Sequence, residues 1–260
     1  MNPPENQTGP AGNEPATMTY CVGLKLDRGL VMAADTRTNA GLDNVATFKK
    51  LQVWEKTDDR VLCLLSAGNL AVTQAVVSLL GERIAHGESG TPSLHTVETM
   101  FQAARLVGQA IRDVRAIDGD ALAKNSESFS VTFLLGGQIR GEAPRLFQIY
   151  SAGNFIEASA DTPFLQIGEH KYGKPILDRV TDKEMRLGQA AKLVLLSFNS
   201  TLRSNLSVGM PIDMLLYNTD SFSAHRQTRI EENDPYFADL SRMWSEKLRD
   251  AVAEIPDFEI

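Results

Sequence analysis

Only two cysteines, Cys21 and Cys63, occur in 260 residues, and no Cys-x-x-Cys is present. Both lie in apolar stretches. A disulfide scaffold and a thiolate zinc site are therefore excluded, and the usage is that of a reducing, cytoplasmic compartment. No apolar run approaches the roughly 20 residues of a membrane-spanning helix; the longest, such as Val131–Leu135 and Leu193–Leu196, have the length of core elements. Basic residues are outnumbered, 26 Lys and Arg against 33 Asp and Glu for a net charge of −7, which argues against a nucleic-acid face. The four histidines are scattered, and the phosphate-loop, dinucleotide, nucleophile-elbow and HExxH motifs are missing. What remains is the composition of an ordinary globular domain, 43% hydrophobic and 23% charged. Its length suffices to bury a core without a disulfide or metal staple.

Residues 1–16, MNPPENQTGPAGNEPA, have nothing with which to build a core and no basic-then-apolar secretory signal. Patterned sequence starts at Met18-Thr19-Tyr20. Residues 1–18 read as a tail that is either a removable leader or a misassigned start with Met18 as initiator. Residues 19–260 read as one domain.

The alternation in Tyr20–Leu26 predicts a strand, Asp27-Arg28-Gly29 a turn and Leu30–Asp35 a return strand. Lys50–Trp54 and Val61–Leu65 form a second pair around Thr57–Arg60. Asn69 caps a helix bearing Val72, Val76 and Leu80 on one face. A long helix is expected from Ser93 to about Ile117, followed by a polar, mobile Asp118–Ser128. Strands are expected at Phe129–Leu135, Arg145–Tyr150 and Phe155–Ala158. Thr181-Asp182-Lys183-Glu184 reads as a capping box opening a further helix. Ile212–Tyr217 and Phe222–Ile230 read as strands, and Pro235–Val252 as a last helix. Strands in antiparallel pairs with helices in blocks make the fold α+β, most economically two stacked antiparallel sheets with helices on both outer faces.

One constellation carries chemistry. If Thr19 became N-terminal, its α-amine, with an ordinary pKa of about 7.7–8.0, would serve as base for its own hydroxyl. Such a nucleophile needs a buried cation, a carboxylate to hold that cation, and N–H donors for the developing oxyanion. Asp35 closes the return strand of the hairpin that Thr19 opens, so it falls beside Thr19. Lys50 stands at the start of the next strand, where a carboxylate would keep its ammonium charged. Taken singly, Thr19 is a strand-start threonine, Asp35 a turn carboxylate, Lys49-Lys50 a solvated pair, and Glu169-His170 surface residues. Their joint occurrence is what points to catalysis.

Thr19–Gly23 (TYCVG), Ala33–Arg37 (AADTR) and Lys49-Lys50-Leu51 resemble the opening of proteasome β-type subunits, a family that includes the bacterial peptidase HslV. Thr38–Gly41 (TNAG), Ser66–Asn69 (SAGN) and Gln166–Gly173 (QIGEHKYG) resemble the bacterial Anbu family within it. The resemblance implies a four-layer αββα sandwich of the N-terminal-nucleophile hydrolase type. It implies Thr19 as nucleophile and base, supported by Asp35 and Lys50. Arg37, Thr38 and Asn39 would pair with an extended substrate by strand addition. The oxyanion glycine of the family is matched by Leu65 or Ser66, either of which would contribute a backbone N–H. A supporting serine is replaced by Glu169. In the later Asp-x-x-Ser element, Ser207 keeps the serine while Ser204 stands for the aspartate, so the outer support of the amine is altered. No metal or organic cofactor is implied. The implied function is a threonine-type endopeptidase acting on peptide or unfolded-protein substrates inside a homo-oligomeric ring or helical turn, with an unfoldase as a possible partner. The alternatives are a small-molecule amidohydrolase of the same fold and an assembly subunit with little turnover.

Overall fold

The computed structural model describes residues 19–39, 45–87 and 90–259. The segment 1–18, read above as a leader or misassigned start, lies outside them. Strands β1 (Tyr20–Leu26) and β2 (Gly29–Asp35) form the expected hairpin, and β3 (Arg37–Asn39) with β4 (Val45–Thr47) a short ribbon. Then come β5 (Leu51–Lys56), β6 (Arg60–Gly68), α1 (Leu70–Ala85) and α2 (Met100–Lys124). Four strands follow: β7 (Val131–Ile139), β8 (Arg145–Ile149), β9 (Phe155–Glu157) and β10 (Phe164–Gly168). The chain continues through α3 (Lys174–Val180), α4 (Leu187–Ser204), β11 (Ile212–Asn218), β12 (Gln227–Ile230) and α5 (Pro235–Glu254).

The strands make two antiparallel sheets, ordered β10-β1-β2-β11-β12 and β5-β6-β7-β8-β9. The period of two explains the layers. In β1 and β2, Tyr20, Val22, Leu24, Val31 and Ala33 face α4, against Leu193, Val194 and Phe198. The alternate residues Cys21, Leu30, Met32 and Ala34 face the second sheet, against Cys63, Leu65, Leu134 and Leu146. The other face of the second sheet packs Leu62, Leu64, Phe133 and Leu135 on α1 and α2. Three apolar layers thus alternate with two sheets, the expected αββα sandwich. One buried polar clamp ties the sheets together: Gln138 of β7 accepts from the Tyr217 hydroxyl of β11 at 2.7 Å and donates to Asp220 at 2.7 Å. Among the described residues, no helix is long and apolar enough to cross a membrane.

Several expected boundaries are corrected. Helix α2 starts at Met100, not Ser93. The guanidinium of buried Arg60 holds the carbonyls of Leu94 and Val97, at 3.2 and 2.6 Å, in the turn that precedes the helix. The Thr99 hydroxyl instead caps α2 by accepting from the Gln102 N–H at 3.1 Å. The same helix runs on to Lys124 through the stretch read as a mobile loop. Thr181-Asp182-Lys183-Glu184 is a turn between two helices: Thr181 ends α3, and α4 begins only at Leu187. There the Asp182 carboxylate accepts from the Glu184 N–H at 2.8 Å, a local Asx contact rather than a helix cap. Of Phe222–Ile230 only Gln227–Ile230 is strand. Strand β10, which lies next to β1, was not anticipated.

Candidate active site

The β1–β2 hairpin pairs Cys21 with Ala34, which brings Asp35 level with the Thr19–Tyr20 peptide. Thr19 is buried at 5% exposure and Asp35 at 0%. The Tyr20 N–H donates to Asp35 Oδ1 at 3.1 Å. Lys50, just before β5, reaches across between the two sheets. Its Nζ donates to the same Asp35 Oδ1 at 2.8 Å and to the Arg37 carbonyl at 2.5 Å. The Gly209 N–H completes the carboxylate by donating to Oδ2 at 3.3 Å. The three residues expected to act together are thus gathered at one end of the sandwich. Burial pushes the Asp35 carboxyl above the ordinary range, and the Lys50 ammonium and the two N–H donors pull against that. A buried carboxylate is tenable here because a cation and directed donors face it.

The opposite side of Thr19 is closed by β10. Glu169 donates its N–H to the Thr19 carbonyl at 2.7 Å. Gly168, before it, has φ +80°, and a Cβ there would run into that carbonyl, so the position needs glycine. One carboxylate oxygen of Glu169, Oε2, is buried with no hydrogen-bond partner among the described residues. The exposed Lys171 Nζ lies 3.6 Å from it. Behind the site Tyr20 is locked in place. Its hydroxyl donates to Ser197 Oγ at 3.0 Å and accepts from Gln166 Nε2 at 2.6 Å, and its ring packs on Phe198 with centroids 4.6 Å apart.

Other expected site residues are placed differently. The Ser66 N–H donates to the Lys50 carbonyl at 3.2 Å and is not a free oxyanion donor. Leu65 sits in β6, flanked by Leu51 of β5 and Leu134 of β7. The Ser207 hydroxyl and N–H both donate to Asn205 Oδ1, at 2.6 and 2.9 Å. Ser204 is the last residue of α4 and is exposed. The 205–209 loop meets the site through the backbone of Gly209, which the sequence reading missed, since a backbone donor leaves no side-chain signature. Arg37, Thr38 and Asn39 form β3, paired with β4 in a two-stranded ribbon. The Arg37 guanidinium donates to the Leu206 carbonyl at 3.1 Å, fastening that ribbon to the loop after α4.

The family model described as "Proteasome subunit" matches residues 17–215. A proteasome subunit beta of Haloquadratum walsbyi is 23% identical over 220 residues, covering 84% of this chain and 81% of the relative. Solved structures agree with the fold. Anbu from Hyphomicrobium sp. strain MC1, as a Gly-1 mutant, is 59% identical with a TM-score of 0.87, covering 93% of this chain and 100% of that one. The structure described as a helical assembly of the Anbu complex from Pseudomonas aeruginosa is 47% identical with a TM-score of 0.88, covering 93% and 98%. The sandwich, the hairpin that sets Asp35 beside Thr19 and these matches lead to one conclusion: the chain belongs to the proteasome subunit family, in its Anbu branch, and has the N-terminal-nucleophile hydrolase fold.

Proposed function

We propose that this chain is a threonine-type peptidase subunit working in a homo-oligomer, with Thr19 freed of the preceding residues. The observation that carries the reading is the Lys50–Asp35 pair, 2.8 Å apart and buried against the Thr19–Tyr20 peptide. Cations buried at that depth are rare without a task or a structural partner. Here the partner carboxylate also holds the N–H of the residue after the nucleophile.

In the proposed reaction the Thr19 hydroxyl oxygen attacks a peptide carbonyl carbon while its proton passes to the Thr19 α-amine. The Lys50 ammonium, held by Asp35 and the Arg37 carbonyl, stabilises the oxygen as it loses that proton. The tetrahedral adduct then expels the amine half of the substrate, which takes the proton from the α-ammonium, leaving an ester on Thr19. Water, deprotonated by the same amine, hydrolyses the ester and restores the hydroxyl. An extended substrate would lie along Arg37–Asn39, since a two-stranded ribbon leaves one edge of β3 for a third strand.

One observation favours a second reading, a subunit with low turnover: Ser204, which stands where the family resemblance puts an aspartate, is exposed, so the outer support of the amine is altered. The Anbu relative from Pseudomonas aeruginosa supports self-assembly in either case. N-terminal mass measurement of the purified protein, with fluorogenic-peptide hydrolysis by the unaltered chain and by Thr19→Ala, tests the reading. The expected result is a mature chain starting at Thr19 and hydrolysis that Thr19→Ala abolishes. Equal hydrolysis by the two proteins refutes it.

A further inference from the structure

The end of α5 and one face of α2 are both unpartnered, and their chemistry is complementary. Helix α5 is held over its first half, to Ser245. Leu240 is buried, and the Ser241 hydroxyl accepts from Asn199 of α4 at 2.7 Å. From Glu246 to Glu259 every residue is exposed. That stretch is not polar. Leu248 and Val252 lie one turn apart on the helix, and Ile255 and Phe258 follow in the extended segment after it, with Val252, Ile255 and Phe258 exposed at 72, 66 and 89%. Its charges are also one-sided. From Ala251 onward there is no Lys or Arg, while Glu254, Asp257 and Glu259 are all acidic. Large apolar side chains left in water along a helix end and the segment that follows it mark a contact surface.

On the far side of the sandwich, the outer face of α2 and the turn before it form a groove of about 860 Å³. Phe101, Arg105, Gln109 and Arg112 line it along one helix face, a span of about 17 Å that accommodates two to three helical turns. Phe101 is 47% exposed, yet its ring is fixed edge-on against Phe155 at 5.5 Å, giving a rigid apolar wall. Among the described residues neither Arg105 nor Arg112 has a carboxylate partner. The nearby Asp113 is taken by Arg83 and Gln109, and among the described residues Glu98 is the one acid on the rim.

We infer that the acidic, apolar end of α5 from one copy of this chain docks in the arginine-flanked groove on α2 of a second copy. Val252, Ile255 and Phe258 would cover Phe101 and Leu106, and Glu254 and Asp257 would meet Arg105 and Arg112. The contact is between copies because the α5 end is exposed in the single chain, so a chain's own groove does not hold it. The two patches lie on opposite sides of the sandwich, and where the contact is made once per pair of copies it is head-to-tail and propagates into rings or helical turns. The inference rests on the self-assembly proposed above and adds which surfaces make it.

Sedimentation velocity on the full chain tests it, with Arg105→Glu/Arg112→Glu, with Glu254→Lys/Asp257→Lys, and with all four changes together. Each pair alone is expected to raise the midpoint concentration of assembly at least about tenfold, and the four together to bring it back within about threefold. Assembly unmoved by either pair, or weaker still with all four changes, overturns the inference and leaves self-assembly standing. An unaltered chain that stays monomeric at every concentration overturns both. As a second measurement, chains carrying Phe101→Cys and Phe258→Cys, made separately, mixed and oxidised, should form a disulfide-linked pair. Failure to cross-link within an intact assembly also refutes the contact.

Discussion

Lys50 and Asp35 meet at 2.8 Å with 6% and 0% of their side-chain surfaces exposed, so each is the other's main compensation for leaving water. Removing one partner of such a pair leaves a charge stranded. Lys50→Met should destabilise the fold by about 3–5 kcal/mol at neutral pH, and Asp35→Asn/Lys50→Met should recover much of that. The pH dependence has a definite sign. Burial already pushes the Asp35 carboxyl up from 3.8, and loss of the ammonium pushes it further. A carboxyl whose folded pKa is raised favours folding below its unfolded value and loses that contribution as pH climbs through the folded one. The melting-temperature deficit of Lys50→Met should therefore be smallest near pH 3.8 and grow toward neutrality. A deficit that does not change over that range would show that Asp35 is not the stranded group.

Gly168→Ala tests how tightly β10 closes on Thr19. The position combines φ +80° with a Cβ that would strike the Thr19 carbonyl. The backbone term alone is about 1–2 kcal/mol, and the clash with main chain adds to it. The expected outcome is a lower urea midpoint together with disordering of the Glu169 N–H to Thr19 contact, seen as faster amide exchange at Glu169. A variant with unaltered midpoint and exchange would show that β10 can retreat freely.

Much of this was legible in the residues. Alternation in Tyr20–Leu26, the turn at Asp27–Gly29 and the apolar run Leu30–Asp35 point to a short hairpin, and a short hairpin leaves little choice of register, so the approach of Asp35 to Thr19 follows. Lys50 followed from its place at a strand start. Strand β10 was missed because Phe164–Gly168 is too short to show a period of its own. The start of α2 was misplaced because Leu94, Val97, Met100 and Phe101 keep helical spacing. The buried Arg60, distant in sequence, holds the carbonyls of Leu94 and Val97 in the turn before the helix. The donors completing the site, Gly209 and Glu169, act through main-chain N–H groups that any residue type would supply.

Cys21 and Cys63 offer a check on the packing between the sheets. Both thiols are free and fully buried, and that burial pushes both well above the ordinary thiol range. Thiolate is the reactive form, so both should be inert in the folded protein. Titration with a colourless disulfide reagent at pH 8 should register close to no reactive thiol natively and two per chain in denaturant. Rapid native reaction of either would mean that the sheets part far more readily than this core allows.

On the proposed mechanism Glu169 bears on the base. Its N–H holds the Thr19 carbonyl at 2.7 Å, and among the described residues its Oε2 is buried without a hydrogen-bond partner. On the proposed mechanism the base is the free amine of Thr19, which works only when unprotonated. A neighbouring carboxylate favours the ammonium and raises its pKa, while Lys50 and Lys171 act in the opposite direction. Glu169→Gln removes the negative charge and keeps the shape. The amine should then lose its proton more easily, and the rising acid limb of kcat/KM should move to lower pH by up to about one unit. Glu169→Asp should keep the limb near its original position. Direct titration of the Thr19 amine by pH-dependent reductive methylation should report the same shift without reference to turnover. An amine that titrates identically in the unaltered chain and in Glu169→Gln would show that the buried carboxylate is not coupled to the base, and would leave its orphaned oxygen to some other partner.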